Sequence, residues 1–293
     1  MTTIDDLKNF KPKYDYFIGL DSDGTIFDTM NIKHNICFVN PLVKIYNLFD
    51  IKDKVKEIWI KINLYSKFRG INRFEALFQF FEDLKKSGLL NDTDFAFPNL
   101  DSIKYWSNSK KILTNESLYL LMKEINSDEK SDINKAINWS IEVNNNVEST
   151  IVDLPPITGA LSAIEYLSSR ADIVVLSNTP IKTLIRDWQQ KNIYAKAAFI
   201  CGQETGSKSE MLEAAIKGKY KKNKVLMIGD SPSDLIAAKK NKVLFFPIIP
   251  LKEKESWNFF ISIGAPQFFL SQYHSSIQKE KILEFESSLN AKF

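Results

Sequence analysis

The chain carries short apolar runs, each followed at once by small and polar residues. Four of these runs lie at 16–20, 173–176, 198–201 and 225–228, and a fifth follows at 243–248. Runs of this length without polar interruption are typical of strands buried on both faces of a parallel sheet. The sequence therefore predicts an α/β fold with a doubly wound parallel sheet.

The spacing between the first and second runs predicts an inserted domain. Residues 30–152 show apolar positions at helical rather than strand spacing, so we expect an all-α domain there. The α/β core is then split into 1–29 and 153–293, with hinges near 28–31 and 150–156. We expect the aromatic-rich segment 251–293 to form helical segments packed on this core, and its sequence indicates no function.

Two helices of the insert have recognisable starts. Asn40-Pro41 opens one run of apolar residues at helical spacing, and Asn72 with Glu75 resembles a capping box. The second helix should then present an apolar stripe made of Phe74, Leu77, Phe78, Phe81 and Leu84. We interpret this stripe as the core of the inserted domain.

Polar residues suited to chemistry follow the predicted strands. Asp21 and Asp23 come directly after the first run, while Ser177, Lys208 and Asp230 follow the next three. Ligands of parallel sheets bind at the carboxyl ends of the strands, where these residues should meet. Two neighbouring carboxylates repel each other, so the pair needs a cation or a shared proton. A divalent ion with oxygen ligands, such as Mg2+, would satisfy the pair. Calcium loops and surface turns use similar sequences.

The same junctions contain helix-start signals. Thr179 before Pro180 resembles an N-cap with proline at the first helical position. Ser207 with Glu210, three residues later, fits a capping box, and so does Ser231 with Asp234. These caps are compatible with function, because helix N-termini favour anions.

Taken in order, the four junctions resemble the motifs of the haloacid dehalogenase superfamily. The segment Asp21-Ser22-Asp23-Gly24-Thr25 is similar to its first motif and Ser177 to its second; Lys208 and the segment from Gly229 to Asp234 are similar to the third and fourth. The resemblance covers about 15–30 and 155–250, and the insert is only loosely similar to the family's helical caps.

This resemblance implies a phosphoryl-transfer mechanism. Asp21 would be the nucleophile that forms an aspartyl-phosphate, and Asp23 the general acid and then the general base. Members that cleave carbon–halogen bonds generally lack an acid at the position of Asp23, so its presence favours phosphate substrates. Lys208 would offset the negative charge of Asp21 and the phosphate.

The resemblance also implies binding roles. Ser177 and the backbone N–H of Asn178 would bind phosphoryl oxygens, and Thr25 would donate a hydrogen bond near the site or simply support its turn. Mg2+ would be held by Asp21, Asp230 and the backbone carbonyl of Asp23. Asp234 would orient a metal-bound water or Lys208.

A basic loop in the insert resembles the substrate-binding loop of β-phosphoglucomutases. Arg69-Gly70-Ile71-Asn72-Arg73 places two arginines beside a glycine just before a predicted helix. Guanidinium groups suit a bidentate grip on phosphate or carboxylate. Arg69 and Arg73 are therefore candidate substrate-binding residues, although an ordinary basic helix start has the same pattern.

The expected function is Mg2+-dependent hydrolysis of a small phosphorylated metabolite. The alternatives are a sugar phosphomutase, a phosphonate hydrolase that uses a lysine of the insert (Lys61 or Lys67), and a non-catalytic phosphate-binding module. The oligomeric state and the natural substrate cannot be inferred from the sequence.

The amino-acid composition is consistent with this function and does not suggest a nucleic-acid-binding, exported or membrane-spanning protein. The 293 residues are 44% hydrophobic, enough for a large core, and the net charge of +3 does not suggest a nucleic-acid partner. Cys37 and Cys201 are the only cysteines, which favours a reduced, cytoplasmic protein. We expect no export signal and no membrane span, because no run approaches ~20 apolar residues.

Overall fold

The computed structural model describes residues 2–109, 113–125, 127–153, 155–273 and 276–289. The chain divides into two compact units. The first, the α/β unit, comprises Met1–Thr29 and Asp153–Phe293, and the second, the helical unit, comprises Met30–Val152. In the described part of the chain, no helix has the length and apolar character needed to cross a bilayer.

The α/β unit is built on a five-stranded parallel sheet. Its strands are β1 (Tyr16–Leu20), β2 (Ala171–Leu176), β3 (Phe199–Cys201), β4 (Val225–Gly229) and β5 (Leu244–Pro247), in the order β3-β2-β1-β4-β5. The predicted parallel sheet is confirmed. In the register, Leu20 lies opposite Val175 on one side and Ile228 on the other, so the ends of β1, β2 and β4 are level.

Helices make up most of the remaining chain. They are α1 (Ile4–Asn9), α2 (Met30–Ile32), α3 (Val39–Ile45), α4 (Lys52–Tyr65), α5 (Arg73–Lys86), α6 (Asp101–Asn108), α7 (Asn115–Glu124), α8 (Ser127–Thr150), α9 (Ala160–Ser168), α10 (Ile181–Gln190), α11 (Lys208–Ile216), α12 (Pro232–Asn241), α13 (Glu253–Phe259), α14 (Ala265–Phe269) and α15 (Ser276–Ser288). The segments Lys33–Phe38 and Phe260–Gly264 are π-helical. Helices α2 to α8 belong to the helical unit, and the other helices to the α/β unit.

The C-terminal segment covers the edge strand β5. The backbone N–H of Phe245 donates to Gln278 Oε1 at 2.9 Å, and the Tyr273 hydroxyl donates to the Phe245 carbonyl at 3.2 Å. Trp257 and Phe285 are fully buried in the core. The prediction of helical segments packed on the core is therefore confirmed for the described residues of 251–293, and these segments also block pairing at an exposed sheet edge.

The helical unit has its own aromatic core, in which Trp59, Trp106 and Trp139 are buried. Four members of the predicted apolar stripe of α5 are buried in it and Phe78 is partly buried, as expected. The start predicted at Asn40-Pro41 was wrong, because the helical segment begins at Met30 and continues through the π-helical turn. Pro41 lies inside α3, directly after this wider turn. Because proline lacks an N–H, it cannot complete the regular ladder there.

Candidate active site

The first junction turns sharply after β1. The Asp21 N–H donates to the Ile228 carbonyl at 2.9 Å, which continues the pairing with β4 and places Asp21 at the sheet end. Gly24 has a φ of 73°, which favours glycine, and its N–H donates to the Phe27 carbonyl at 2.9 Å. Asp21 follows β1 directly, and Asp23 accepts a hydrogen bond from Thr179 just after β2, so both acids lie at one end of the sheet.

Lys208 reaches this end from α11. Ser207 caps the helix, as predicted, with Glu210 completing the capping box. Lys208 is the first helical residue, and its buried Nζ lies 3.0 Å from Asp21 Oδ1 and 2.6 Å from Asp234 Oδ1. The side chain of Lys208 therefore joins the first, third and fourth junctions.

The fourth junction supplies two more buried acids. Ser231 and Asp234 form the predicted capping box of α12, with the Ser231 N–H and hydroxyl both donating to Asp234 Oδ2. Gly229 is required by this arrangement, since a Cβ there would lie 2.2 Å from Asp234 Cγ. The other acid, Asp230, accepts a hydrogen bond from the Thr25 hydroxyl at 3.3 Å.

These acids form a compact negative cluster. One carboxylate oxygen each from Asp21, Asp230 and Asp234 lies within 4.8 Å of the others, and all three residues are buried. Burial raises the pKa of Asp21 well above its usual range, although Lys208 opposes this, and Asp234 and Asp230 raise it further. Burial alone would lower the pKa of Lys208, but the carboxylates of Asp21 and Asp234 raise it, so the lysine remains a cation.

The donor set of the cluster fits a small divalent cation. Lys208 can balance only one of the three negative charges, and carboxylate oxygens are the ligands that Mg2+ prefers. Both oxygens of Asp234 accept hydrogen bonds from Lys208 and Ser231. Asp21 and Asp230 are therefore the side chains that could hold an ion, while Asp234 could fix Lys208.

The remaining predicted core residues lie at the ends of neighbouring strands. Ser177 is buried directly after β2, where its N–H donates to the Cys201 carbonyl and its hydroxyl accepts from the Thr179 N–H. Asn178, next to it, is partly exposed. Asp23 is also partly exposed, and its carboxylate accepts hydrogen bonds from the hydroxyls of Thr29 and Thr179.

The two predicted arginines both lie in the helical unit. Arg69 is buried and donates to the Leu64 carbonyl at 2.9 Å. Arg73 donates to Ser140 and, at 2.7 Å, to Asn144. Both guanidinium groups therefore donate hydrogen bonds within their own unit.

The sequence did not reveal several residues that support the site. Thr179 was expected to be a helix N-cap, which was wrong: α10 begins at Ile181 with Pro180 as its N-cap, and the Thr179 hydroxyl bonds Asp23 instead. Trp188 Nε1 donates to the Ser22 hydroxyl at 3.0 Å, and Trp257 Nε1 donates to the Thr25 carbonyl at 2.8 Å. Both tryptophans hold the first junction from distant parts of the chain.

The α/β unit is thus a parallel sheet with buried acids and a buried lysine at its carboxyl edge. The model of the family described as haloacid dehalogenase-like hydrolase matches residues 92–248, more than half of the chain. The protein therefore belongs to this family of enzymes. The match includes Ser177, Lys208 and Asp230 but begins after the first junction.

The chain is only weakly similar to solved structures. A candidate phosphoglycolate phosphatase from Lactobacillus delbrueckii subsp. bulgaricus is 14% identical with a TM-score of 0.47, over 79% of this chain and 85% of that one. A hydrolase from Pseudomonas syringae is 14% identical with a TM-score of 0.42, over 83% and 90%. A candidate beta-phosphoglucomutase from Bacteroides vulgatus is 14% identical with a TM-score of 0.39, over 95% and 93%. No curated protein matches the chain.

Proposed function

We propose that the protein is a Mg2+-dependent phosphohydrolase that cleaves a small phosphorylated metabolite through an aspartyl-phosphate on Asp21. The observation that carries this proposal is the buried cluster in which Lys208 Nζ lies 3.0 Å from Asp21 Oδ1 beside two further acids. A buried nucleophilic carboxylate needs a cation to approach a phosphate dianion, and Lys208 supplies one such charge.

In the first half of the reaction, Asp21 attacks phosphorus while the bond from phosphorus to the ester oxygen breaks. The electron pair of that bond goes to the leaving oxygen, and Asp23 gives this oxygen a proton. Ser177 and the backbone N–H of Asn178 would bind the phosphoryl oxygens at the end of β2. Lys208 would offset the negative charge of Asp21 and the phosphoryl group.

In the second half, water attacks the aspartyl-phosphate. Asp23, now ionised, takes a proton from this water, and the released Asp21 carboxylate returns to its contact with Lys208. The site residues that would hold magnesium are Asp21, Asp230 and the carbonyl of Asp23. The ion would supply positive charge that stabilises the phosphoryl oxygens in the transition state.

The helical unit is proposed as a cap. Hydrolysis through an aspartyl-phosphate benefits from excluding bulk water until the alcohol has left, and an inserted unit on two chain crossings can open and close for this purpose. Arg69 and Arg73 remain predicted substrate-binding residues of this cap. To bind a phosphate, Arg73 would have to share or release its contacts with Ser140 and Asn144.

Phosphate release from an aryl phosphate, with and without Mg2+, tests the proposal. Asp21→Asn should abolish turnover and the formation of a phosphorylated protein that hydroxylamine cleaves. Asp15→Asn is the matched control, because Asp15 is an exposed acid that pairs with Lys224, and it should behave as the wild type. Wild-type rates in Asp21→Asn would refute the assignment.

A panel of phosphorylated sugars, nucleotides and phosphonates separates hydrolysis from the alternatives. A phosphomutase would return the phosphoryl group to the sugar instead of releasing phosphate. A phosphonate hydrolase of the lysine type would form an imine that borohydride traps. The two candidate lysines, Lys61 and Lys67, are exposed in the structure, whereas the proposed hydrolase chemistry uses the buried cluster.

A further inference from the structure

The carboxylate of Asp23 is held at both of its oxygens by threonine hydroxyls. Thr29 Oγ1 donates to Oδ1 at 2.6 Å, and Thr179 Oγ1 donates to Oδ2. We propose that Thr179 and Thr29 are positioning residues that fix the orientation of Asp23 for proton transfer to the leaving oxygen. This inference rests on the proposed function, in which Asp23 is the acid and base.

The backbone of Thr179 is fixed by hydrogen bonds and close packing. Its N–H donates to the Ser177 hydroxyl at 3.2 Å, and its carbonyl accepts from the Gln203 N–H at 3.1 Å. The same stretch of backbone packs closely on Gly202, where a Cβ would lie 2.7 Å from the Thr179 carbonyl oxygen. The ring of Pro180 restricts the backbone conformation of the preceding residue, Thr179. The backbone that carries the Thr179 hydroxyl is thus fixed by several contacts.

Thr29 lies on the same loop as Asp23. It is fully buried, its N–H donates to the Phe27 carbonyl at 2.8 Å, and Phe27 forms a bridge with Asp23. Thr29 is also the last residue before the chain enters the helical unit. The two hydroxyls therefore come from different junctions, and each contacts a different oxygen of the carboxylate.

This arrangement leaves Asp23 able to exchange a proton. One carboxylate oxygen can accept more than one hydrogen bond, so the two threonine contacts do not by themselves exclude a reactant. The partial exposure of Asp23 gives reactants access. A threonine hydroxyl can also accept as well as donate, so it can rotate when Asp23 carries the proton. The two threonine contacts thus restrict the orientation of the Asp23 carboxylate without blocking proton transfer.

A pair of variants at one position isolates the hydroxyl. Thr179→Val keeps the shape of the side chain but removes the donor, whereas Thr179→Ser keeps the donor. We would measure kcat/KM with 4-nitrophenyl phosphate, phenyl phosphate and a primary alkyl phosphate, because poorer leaving groups depend more on the acid. Thr183→Val, at a partly exposed position in the first turn of α10, is the matched control for the substitution.

The expected result is a loss that grows as the leaving group becomes poorer. In Thr179→Val, kcat/KM should fall by about tenfold with the alkyl phosphate and by less than about twofold with 4-nitrophenyl phosphate. Thr179→Ser should recover most of the alkyl activity, and Thr29→Val should show the same trend as Thr179→Val. In an Asp23→Ala background, Thr179→Val should have no further effect on phenyl phosphate, because it acts through Asp23.

Equal losses with all three substrates, or an additional loss in the Asp23→Ala background, would overturn the proposal, since Thr179 would then act independently of the acid. An unchanged rate with the alkyl phosphate would also overturn it. Turnover by the wild type distinguishes these failures from a failure of the proposed function, in which the wild type would release no phosphate from any ester and both proposals would fall.

Discussion

Replacement of Lys208 by methionine tests the charge balance of the buried cluster. Methionine has a similar length and flexibility but no charge, so the substitution removes the cation with little change in volume. Lys208 is 5% exposed, and Asp21 and Asp234 are 6% and 0% exposed in their side chains. In Lys208→Met, these acids would be left close to each other without their shared partner.

The expected loss of stability is large. At an effective dielectric constant of about 20, two unit charges about 3 Å apart attract each other by roughly 5 kcal/mol. Lys208 makes two such contacts, at 3.0 Å and 2.6 Å, but desolvation of the three ions offsets much of this attraction. When one partner of a buried ion pair is removed, the free energy of unfolding typically falls by about 3–5 kcal/mol. We expect about 4 kcal/mol at pH 8.

The assay is denaturant unfolding in the presence of a chelator, followed by circular dichroism at several pH values from 5 to 8. The pKa of Asp21 is raised in the folded state by burial. A carboxyl group with a raised folded-state pKa makes its full contribution to the free energy of unfolding at pH values below its unfolded-state pKa. This contribution is lost as the pH rises through the folded-state pKa. Removing Lys208 moves the folded pKa of Asp21 higher still. The deficit of Lys208→Met should therefore widen from pH 5 to pH 8.

Lys224→Met is the control, because Lys224 pairs with the exposed Asp15. An exposed pair contributes less than about 1 kcal/mol, with little dependence on pH in this range. If Lys208→Met lost no more stability than Lys224→Met, or lost the same amount at every pH, the buried charge cluster would not exist as described.

Three further predictions concern the metal, the C-terminal segment and the helical unit. Mg2+ should raise the thermal midpoint of the wild type, and Asp230→Asn should abolish this rise, because a ligand that binds only the folded state stabilises it; an equal rise in both would exclude Asp230 as a ligand. Trp257→Phe should lower kcat a few-fold and raise the Mg2+ concentration needed for activity, measured by phosphate release, because Trp257 holds the Thr25 carbonyl; unchanged values would refute this link. Arg73→Ala should lower the free energy of unfolding by about 1–3 kcal/mol, measured with denaturant, because its hydrogen bonds to Ser140 and Asn144 are lost; an unaffected midpoint would contradict this.

Much of the candidate site was predictable because the junctions obey a simple rule. Strands buried on both faces must be apolar along their length, so their ends are visible in the sequence, and parallel strands place these ends at one edge. Asp21, Lys208 and Asp230 were predicted to meet for this reason, and the structure brings them together. The capping boxes at Ser207 and Ser231 were predictable because they are local.

Thr179 shows why other parts could not be predicted. Its local pattern, a threonine before proline, is a good helix cap, but its hydroxyl bonds Asp23, which lies 156 positions away. Trp257 is 232 positions from Thr25, whose carbonyl it binds. In both cases a tertiary hydrogen bond uses a group whose local sequence indicates either a different partner or none.

The order of apolar and polar residues along this chain is sufficient to determine a parallel sheet with acids and a lysine at its carboxyl edge, because burial and strand direction act on each segment separately. The folded molecule alone decides that Lys208 joins Asp21 to Asp234, that two threonines hold Asp23, and that a C-terminal tryptophan supports the first turn. Those contacts connect loops that are distant in sequence, and their distances depend on strand order, register and packing, which no single segment contains.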